Sequence, residues 1–115
     1  GRIINISSVN GQGGQFGQTN YSAAKAGVHG FTMALAKENA AKGVSVNTVS
    51  PGYVRTSMTA AIPGEVREAI IGQIPAGRMA EPNEVASVVA FLTTPAAGYI
   101  NGANIPVNGA LFCSF

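Results

Sequence analysis

Charge is what this chain has least of. Only 10% of its 115 residues are charged, against about 25% in an ordinary soluble domain. A surface so poor in charge calls for other protein surface to cover it, so the chain is expected to be a homo-oligomer subunit or part of something larger. The seven basic residues, Arg2, Lys25, Lys37, Lys42, Arg55, Arg67 and Arg78, are scattered, and the net charge is only +2. That pattern lacks the basic stripe of a nucleic-acid footprint, and no nucleic-acid partner is expected. No apolar run approaches the roughly 20 residues of a membrane-crossing helix, and no secretory leader pattern is present. A cytoplasmic protein with no membrane partner is the expectation. Cysteine occurs once, at Cys113. It has no partner for an intramolecular disulfide and no metal-site spacing, so it reads as a small inert residue and no metal site is expected.

What remains is rich in apolar residues, at 46% of the chain. A chain of this length can bury about two-thirds of its unfolded surface. The isoleucine-rich run from residue 3 to 8 suits a buried parallel strand. A glycine-punctuated loop is expected from residue 9 to 20, with Thr19 or Asn20 capping the long alanine-rich helix of residues 21–41. Gly43 closes that helix. Residues 44–49 alternate as a second strand, and Pro51-Gly52 punctuates its end. Residues 53–63 read as a loop or short helix, and residues 64–74 as a short helix. Glu81-Pro82-Asn83-Glu84 opens a further helix to about residue 93. Residues 103–107 form a third strand, at an edge because Pro106 cannot donate to a ladder. Asn108-Gly109 is a turn, and an apolar tail runs from Leu111 to Phe115. Strands alternating with helices give an α/β fold with a parallel sheet. Arg2-Ile3-Ile4-Asn5-Ile6 is already a strand with no lead-in, so the chain is expected to begin mid-fold.

Chemistry concentrates in three places. Tyr21 and Lys25 stand four residues apart, on one face of the expected helix. A cation beside a phenol favours its ionised form, which suits general acid–base work. Ser8 ends the first strand, and Pro51-Gly52 ends the second, with Thr56 four residues after Gly52. Ligands of open α/β sheets bind beyond the carboxyl ends of strands, so these residues converge on one crevice.

The stretch Asn5-Ile6-Ser7-Ser8, with Gly14-Gln15-Phe16-Gly17-Gln18-Thr19-Asn20-Tyr21-Ser22-Ala23-Ala24-Lys25-Ala26-Gly27, resembles the short-chain dehydrogenase/reductase family in its C-terminal half. The resemblance runs along almost the whole chain. It implies the C-terminal half of a Rossmann-type doubly wound sheet, with about three strands and flanking helices. Residues 1–115 would be a partial domain lacking the N-terminal glycine-rich dinucleotide-binding half. It implies reduction of a 3-oxoacyl thioester, such as acetoacetyl-CoA, with NADP(H), NAD(H) remaining open. Tyr21 would protonate the substrate oxygen, and Ser8 would hydrogen-bond it. Lys25 would tune the phenol and hold the nicotinamide ribose. Pro51, Gly52, Val54 and Thr56 would line the nicotinamide, and Gln15 and Phe16 would face the acyl group. The glycines at 11, 13, 14 and 17 lack the phosphate-binding spacing and fall on the substrate side, so cofactor binding by these residues alone is expected to be weak or absent. Asn108-Gly109-Ala110 departs from the family's paired-glycine ending.

Plainer readings hold elsewhere. Ser7 is expected to be structural. His29 has no partner in view and reads as a packing or surface residue. Met33, Met58 and Met79 read as core or pocket filler, and Arg78 as a loop brace. A second expectation for the chain is a truncated, non-catalytic α/β module that self-associates through an open strand edge and bare helix faces.

Overall fold

The computed structural model describes residues 1–113; Ser114 and Phe115, the end of the expected tail, lie outside the described residues. Three parallel strands form one sheet in the order β1 (Arg2–Ile6), β2 (Ser45–Pro51), β3 (Asn104–Val107). The register pairs Ile4 with Asn47 and Ile6 with Val49, then Val49 with Ile105 and Pro51 with Val107. Helix α1 (Val9–Gly13) and the long α2 (Thr19–Asn39) follow β1. After β2 come α3 (Ser57–Ala60), α4 (Gly64–Gln73) and α5 (Pro82–Leu92). The α/β class, the three parallel strands and the flanking helices are those expected of part of a Rossmann-type sheet. β3 lies at an edge, where the missing N–H of Pro106 costs no ladder bond.

β2 is central, and its first six residues are buried. One face carries Val49, which packs with Leu92 and Ala97; Ile4, Val85, Val88, Val89 and Ile105 surround them. This is why α5 shows apolar residues at helical spacing. The other face meets α2. There the Thr32 hydroxyl accepts from Asn5 Nδ2 at 2.9 Å and from Thr48 Oγ1 at 2.8 Å, all below the helix. The polar residues of β2 lie on both faces, and none of them faces water. Asn47 donates to the Ile100 carbonyl and accepts from the Ala103 N–H, and Ser50 donates to Asn104. Burial on both faces demands such partners for every polar atom.

Three expectations change. β1 is not a fully buried strand: among the described residues it pairs only with β2, and Ile3 and Ile6 are 41% and 47% exposed. The stretch after it is not all loop, because Ser8 caps a short helix there. Neither Thr19 nor Asn20 caps α2. The cap position is Gln18, which makes no side-chain cap bond but accepts from Asn10 Nδ2 at 2.9 Å, tying α2 to α1. Gly43 ends the helical segment in a left-handed conformation, φ 77°, as its type suggests. Of the methionines only Met79 is buried; Met33 and Met58 are exposed.

Candidate active site

The carboxyl ends of β1 and β2 and the first turns of α2 build the site. The Ser7 N–H donates to the Val49 carbonyl at 2.8 Å, carrying the sheet one residue past β1. The next residue turns the chain. Ser8 is extended, and its hydroxyl oxygen accepts from the Asn10 N–H at 3.2 Å, capping α1. With a lone pair spent on the cap, the Ser8 O–H proton stays available to donate outward. α1 stops at Gly14, whose φ of 71° an L side chain would resist.

α2 presents Tyr21 and Lys25 one turn apart. The Lys25 ammonium stands 5.6 Å from the Tyr21 ring centroid, and it reaches the Ile6 carbonyl, two residues before Ser8, at 3.5 Å. Tyr21 is 45% exposed. The ammonium has three donors, and that long contact uses one, so two remain for ligand hydroxyls. The chemistry of this donor set fits a ribose diol beside the phenol.

At the end of β2, the Gly52 N–H donates to the Val107 carbonyl at 2.9 Å. A Cβ on Gly52 would sit 2.9 Å from Asn108 Cβ and 3.1 Å from its Cα, so glycine is required here by the close approach of the β3 end. Val54 bridges Ala80, and Thr56 caps α3 in a reciprocal bond pair with Thr59. Two ion pairs brace this crossing. Arg78 grips Glu84 with two bonds, of 2.6 and 3.0 Å, and Arg55 pairs with Glu81 at 3.3 Å. The guanidinium bonds from Arg78 and the Glu81 N–H hold the Glu84 carboxyl at about 2, well below its ordinary value. Arg78 is the loop brace its sequence position suggested.

A cleft of about 280 Å³ opens beside α1, lined by Val9, Asn10, Gln15, Tyr53, Gln73 and Phe112 among others. Gln15, expected to face the substrate, is among these lining residues. The neighbouring Phe16 ring is fully exposed. Tyr21 borders a separate shallow concavity with Gly17 to Asn20. Among the described residues no cluster of three metal-ligating side chains occurs, and no helix is long and apolar enough to cross a membrane.

His29 has a partner after all. Its Nε2 lies 2.9 Å from Ser7 Oγ, which itself donates to the Lys25 carbonyl at 2.8 Å. Partial burial holds the imidazole below its ordinary pKa. The signal was present in the spacing, since Tyr21, Lys25 and His29 recur every four residues on one helix face. Tyr53, directly after the glycine at a strand end, and Phe112 were also missed. Phe112 packs on Gly13, where an added Cβ would meet its ring at 3.0 Å.

A family model described as Enoyl-(Acyl carrier protein) reductase matches residues 1–111. The chain belongs to the short-chain dehydrogenase/reductase family. It is 68% identical over 112 residues to an acetoacetyl-CoA reductase of Allochromatium vinosum, and 60% over 111 residues to one of Cupriavidus necator. It is 54% identical over 112 residues to a 3-oxoacyl-(acyl-carrier-protein) reductase of Vibrio cholerae. Each match takes in 96–97% of this chain and 45–46% of the relative, so the chain spans about half the length of the curated relatives it matches.

Proposed function

We propose that this chain carries the catalytic face of an NADP(H)-dependent reductase that converts a 3-oxoacyl thioester to the 3-hydroxyacyl thioester. The observation that carries the reading is the stacked Tyr21–Lys25 pair, reaching to within 3.5 Å of the β1 end beside Ser8. Reduced nicotinamide supplies the hydride that adds to the keto carbon. Tyr21 gives its phenolic proton to the keto oxygen. The Ser8 O–H, left free by its capping role, donates to the same oxygen and stabilises the charge that develops there. Lys25 holds ribose hydroxyls with its spare donors and keeps positive charge beside the phenol. The end of β2 and the segment after it, with Pro51, Gly52, Val54 and Thr56, form the nicotinamide wall. Gln15 faces the acyl group across the cleft beside α1. In this reading the cofactor's pyrophosphate is held by a glycine-rich turn outside these 115 residues, and the protein works in the cytoplasm. The names of the relatives support a short 3-oxoacyl substrate on coenzyme A or on a carrier protein.

The test is NADPH oxidation with acetoacetyl-CoA by the intact protein. Replacing Tyr21 by Phe removes the general acid and should lower kcat by about 10² to 10⁴-fold. A rate indifferent to Tyr21→Phe would sink the reading. A second reading, an assembling module without catalysis, has one observation in its favour: the exposed Ile3 and Ile6 on edge strand β1, with Phe31 and Met33 exposed on α2. Concentration-dependent assembly without NADPH binding in calorimetry would favour it.

A further inference from the structure

Ser7 ties together three elements by itself. Its N–H bonds β2 at Val49, and its hydroxyl bonds α2 at the Lys25 carbonyl. The hydroxyl has one proton, and the Lys25 carbonyl takes it. Ser7 Oγ can therefore only accept from His29, 2.9 Å away. This assigns the ring proton to His29 Nε2 and gives the chain of bonds a direction: His29 N–H to Ser7 O–H to Lys25 carbonyl. Ser7 is 4% exposed, so these are sheltered bonds. Gly11 adds a steric wall on the same turn, since a Cβ there would lie 2.8 Å from Lys25 Cβ and from its carbonyl carbon.

We infer that His29 is a positioning residue for the reduction: through Ser7 it fixes the spacing between the Ser8 hydroxyl and the Tyr21–Lys25 face of α2. The inference rests on the reductase reading. Tyr21, Lys25 and His29 form one stripe of α2. The lower end of the stripe is bolted to Ser7, and the upper end carries the acid. Ser8 follows Ser7 directly, so the bolt holds both groups that must meet the same substrate oxygen. Without the imidazole donor, Ser7 Oγ keeps only the Lys25 carbonyl as a partner, and its rotamer is held less firmly. The two oxygen-binding groups then become free to drift apart. A misplacement of about 1 Å is enough to cost up to about 10²-fold in rate.

The experiment compares His29→Leu, His29→Gln and Ser7→Ala in the intact protein. Leucine keeps bulk and removes the donor, while the glutamine amide can reach Ser7 as Nε2 does. His29→Leu is expected to lower kcat by about 10- to 100-fold, with KM for NADPH and acetoacetyl-CoA changed by less than about threefold. His29→Gln should recover most of the loss. Combined with Ser7→Ala, His29→Leu should cost little more than either change alone, as residues of one chain of contacts do. Glutamine as poor as leucine, or an unchanged kcat with only a lower melting temperature, would overturn the proposal. A wild-type protein with no reductase rate would defeat the functional reading alone. Amide hydrogen exchange would then decide the clamp: faster exchange at Ser8 and at the Lys25 turn in His29→Leu, reversed in His29→Gln, upholds it, and unchanged exchange refutes it.

Discussion

Gly11 rests directly on the backbone of Lys25: a Cβ built on it would lie 2.8 Å from the Lys25 carbonyl carbon and 3.0 Å from the Ala26 nitrogen. Those are main-chain atoms of α2 that cannot swing aside. Gly11→Ala must therefore push α1 off α2. Overpacking of this kind costs about 1–3 kcal/mol, and a lower urea midpoint with an unchanged slope would report it. The turn that moves is the one carrying Lys25, so in the intact protein the rate should fall further than stability alone explains. A fully stable and fully active Gly11→Ala protein would show that α1 and α2 approach less closely than described.

Much of this layout was legible in the sequence because period and punctuation agreed. The three strands, the long helix and the proline-led α5 all carry their own signals, and Ser8, Tyr21 and Lys25 stand out by spacing. What stayed hidden depended on contacts distant in sequence. α1 is the local exception, a five-residue helix with glycines at 11 and 13 that its cap Ser8 starts against their low helix propensity. The polar residues of β2 look solvent-facing until Thr48 is seen to meet Thr32 of α2 and Asn47 the backbone of Ile100 and Ala103 on the opposite face. His29 gains its meaning only from Ser7, 22 residues away. The full exposure of the Phe16 ring carries no sequence signal, since an aromatic residue in an apolar chain reads first as core.

Acid should weaken the fold in two windows. His29 has a lowered pKa in the native state, so below about 6.5 the unfolded chain takes up the proton more readily and stability falls as pH falls. The Glu84 carboxyl, brought from 4.5 to about 2, contributes stability that is complete above 4.5 and is lost as pH drops toward 2. Urea midpoints of wild type and Glu84→Gln should therefore differ at neutral pH and converge near pH 2. A constant gap across that range would mean that the Arg78 bonds do not hold the carboxylate. Both side chains are largely exposed, so added salt should narrow the gap at neutral pH.

Thr32 offers a cleaner test of the α2 packing. Its hydroxyl oxygen receives two donors, from Asn5 and Thr48, and it is 1% exposed. Thr32→Val keeps the shape, strands the buried Thr48 donor without water and takes the partner from the half-buried Asn5 amide. Each buried group left unpaired costs about 1–3 kcal/mol. A Thr32→Val, Thr48→Val double variant removes one of the stranded donors and should recover part of the loss, measured as a double-mutant cycle in urea. Strictly additive losses would argue that the two hydroxyls do not bond.

Ala110 has φ 70°, and it is the one non-glycine residue among those described in the left-handed region. Its conformation is imposed from both sides. Its N–H donates to Asn108 Oδ1 at 3.0 Å, and Asn108 Nδ2 donates to the Phe112 carbonyl at 2.9 Å, closing a small loop on one side chain. Holding an L-alanine there costs roughly 1–2 kcal/mol, which glycine escapes. Glycine also gives the unfolded chain more freedom, which takes back about 0.5–1 kcal/mol. Ala110→Gly should therefore raise stability by a net of about 0.5–1 kcal/mol. It also restores the paired glycines from which this sequence departs. The same loop holds Phe112 against Gly13 in the cleft beside α1, and neither Asn108 bond that shapes the loop depends on the alanine methyl, so on the proposed reading Ala110→Gly should leave KM for acetoacetyl-CoA unchanged in the intact protein. A drop in the unfolding midpoint would mean that the strain lies elsewhere in the loop. A rise in KM with the midpoint raised would mean that the alanine methyl, and not the strain, shapes the wall of the cleft.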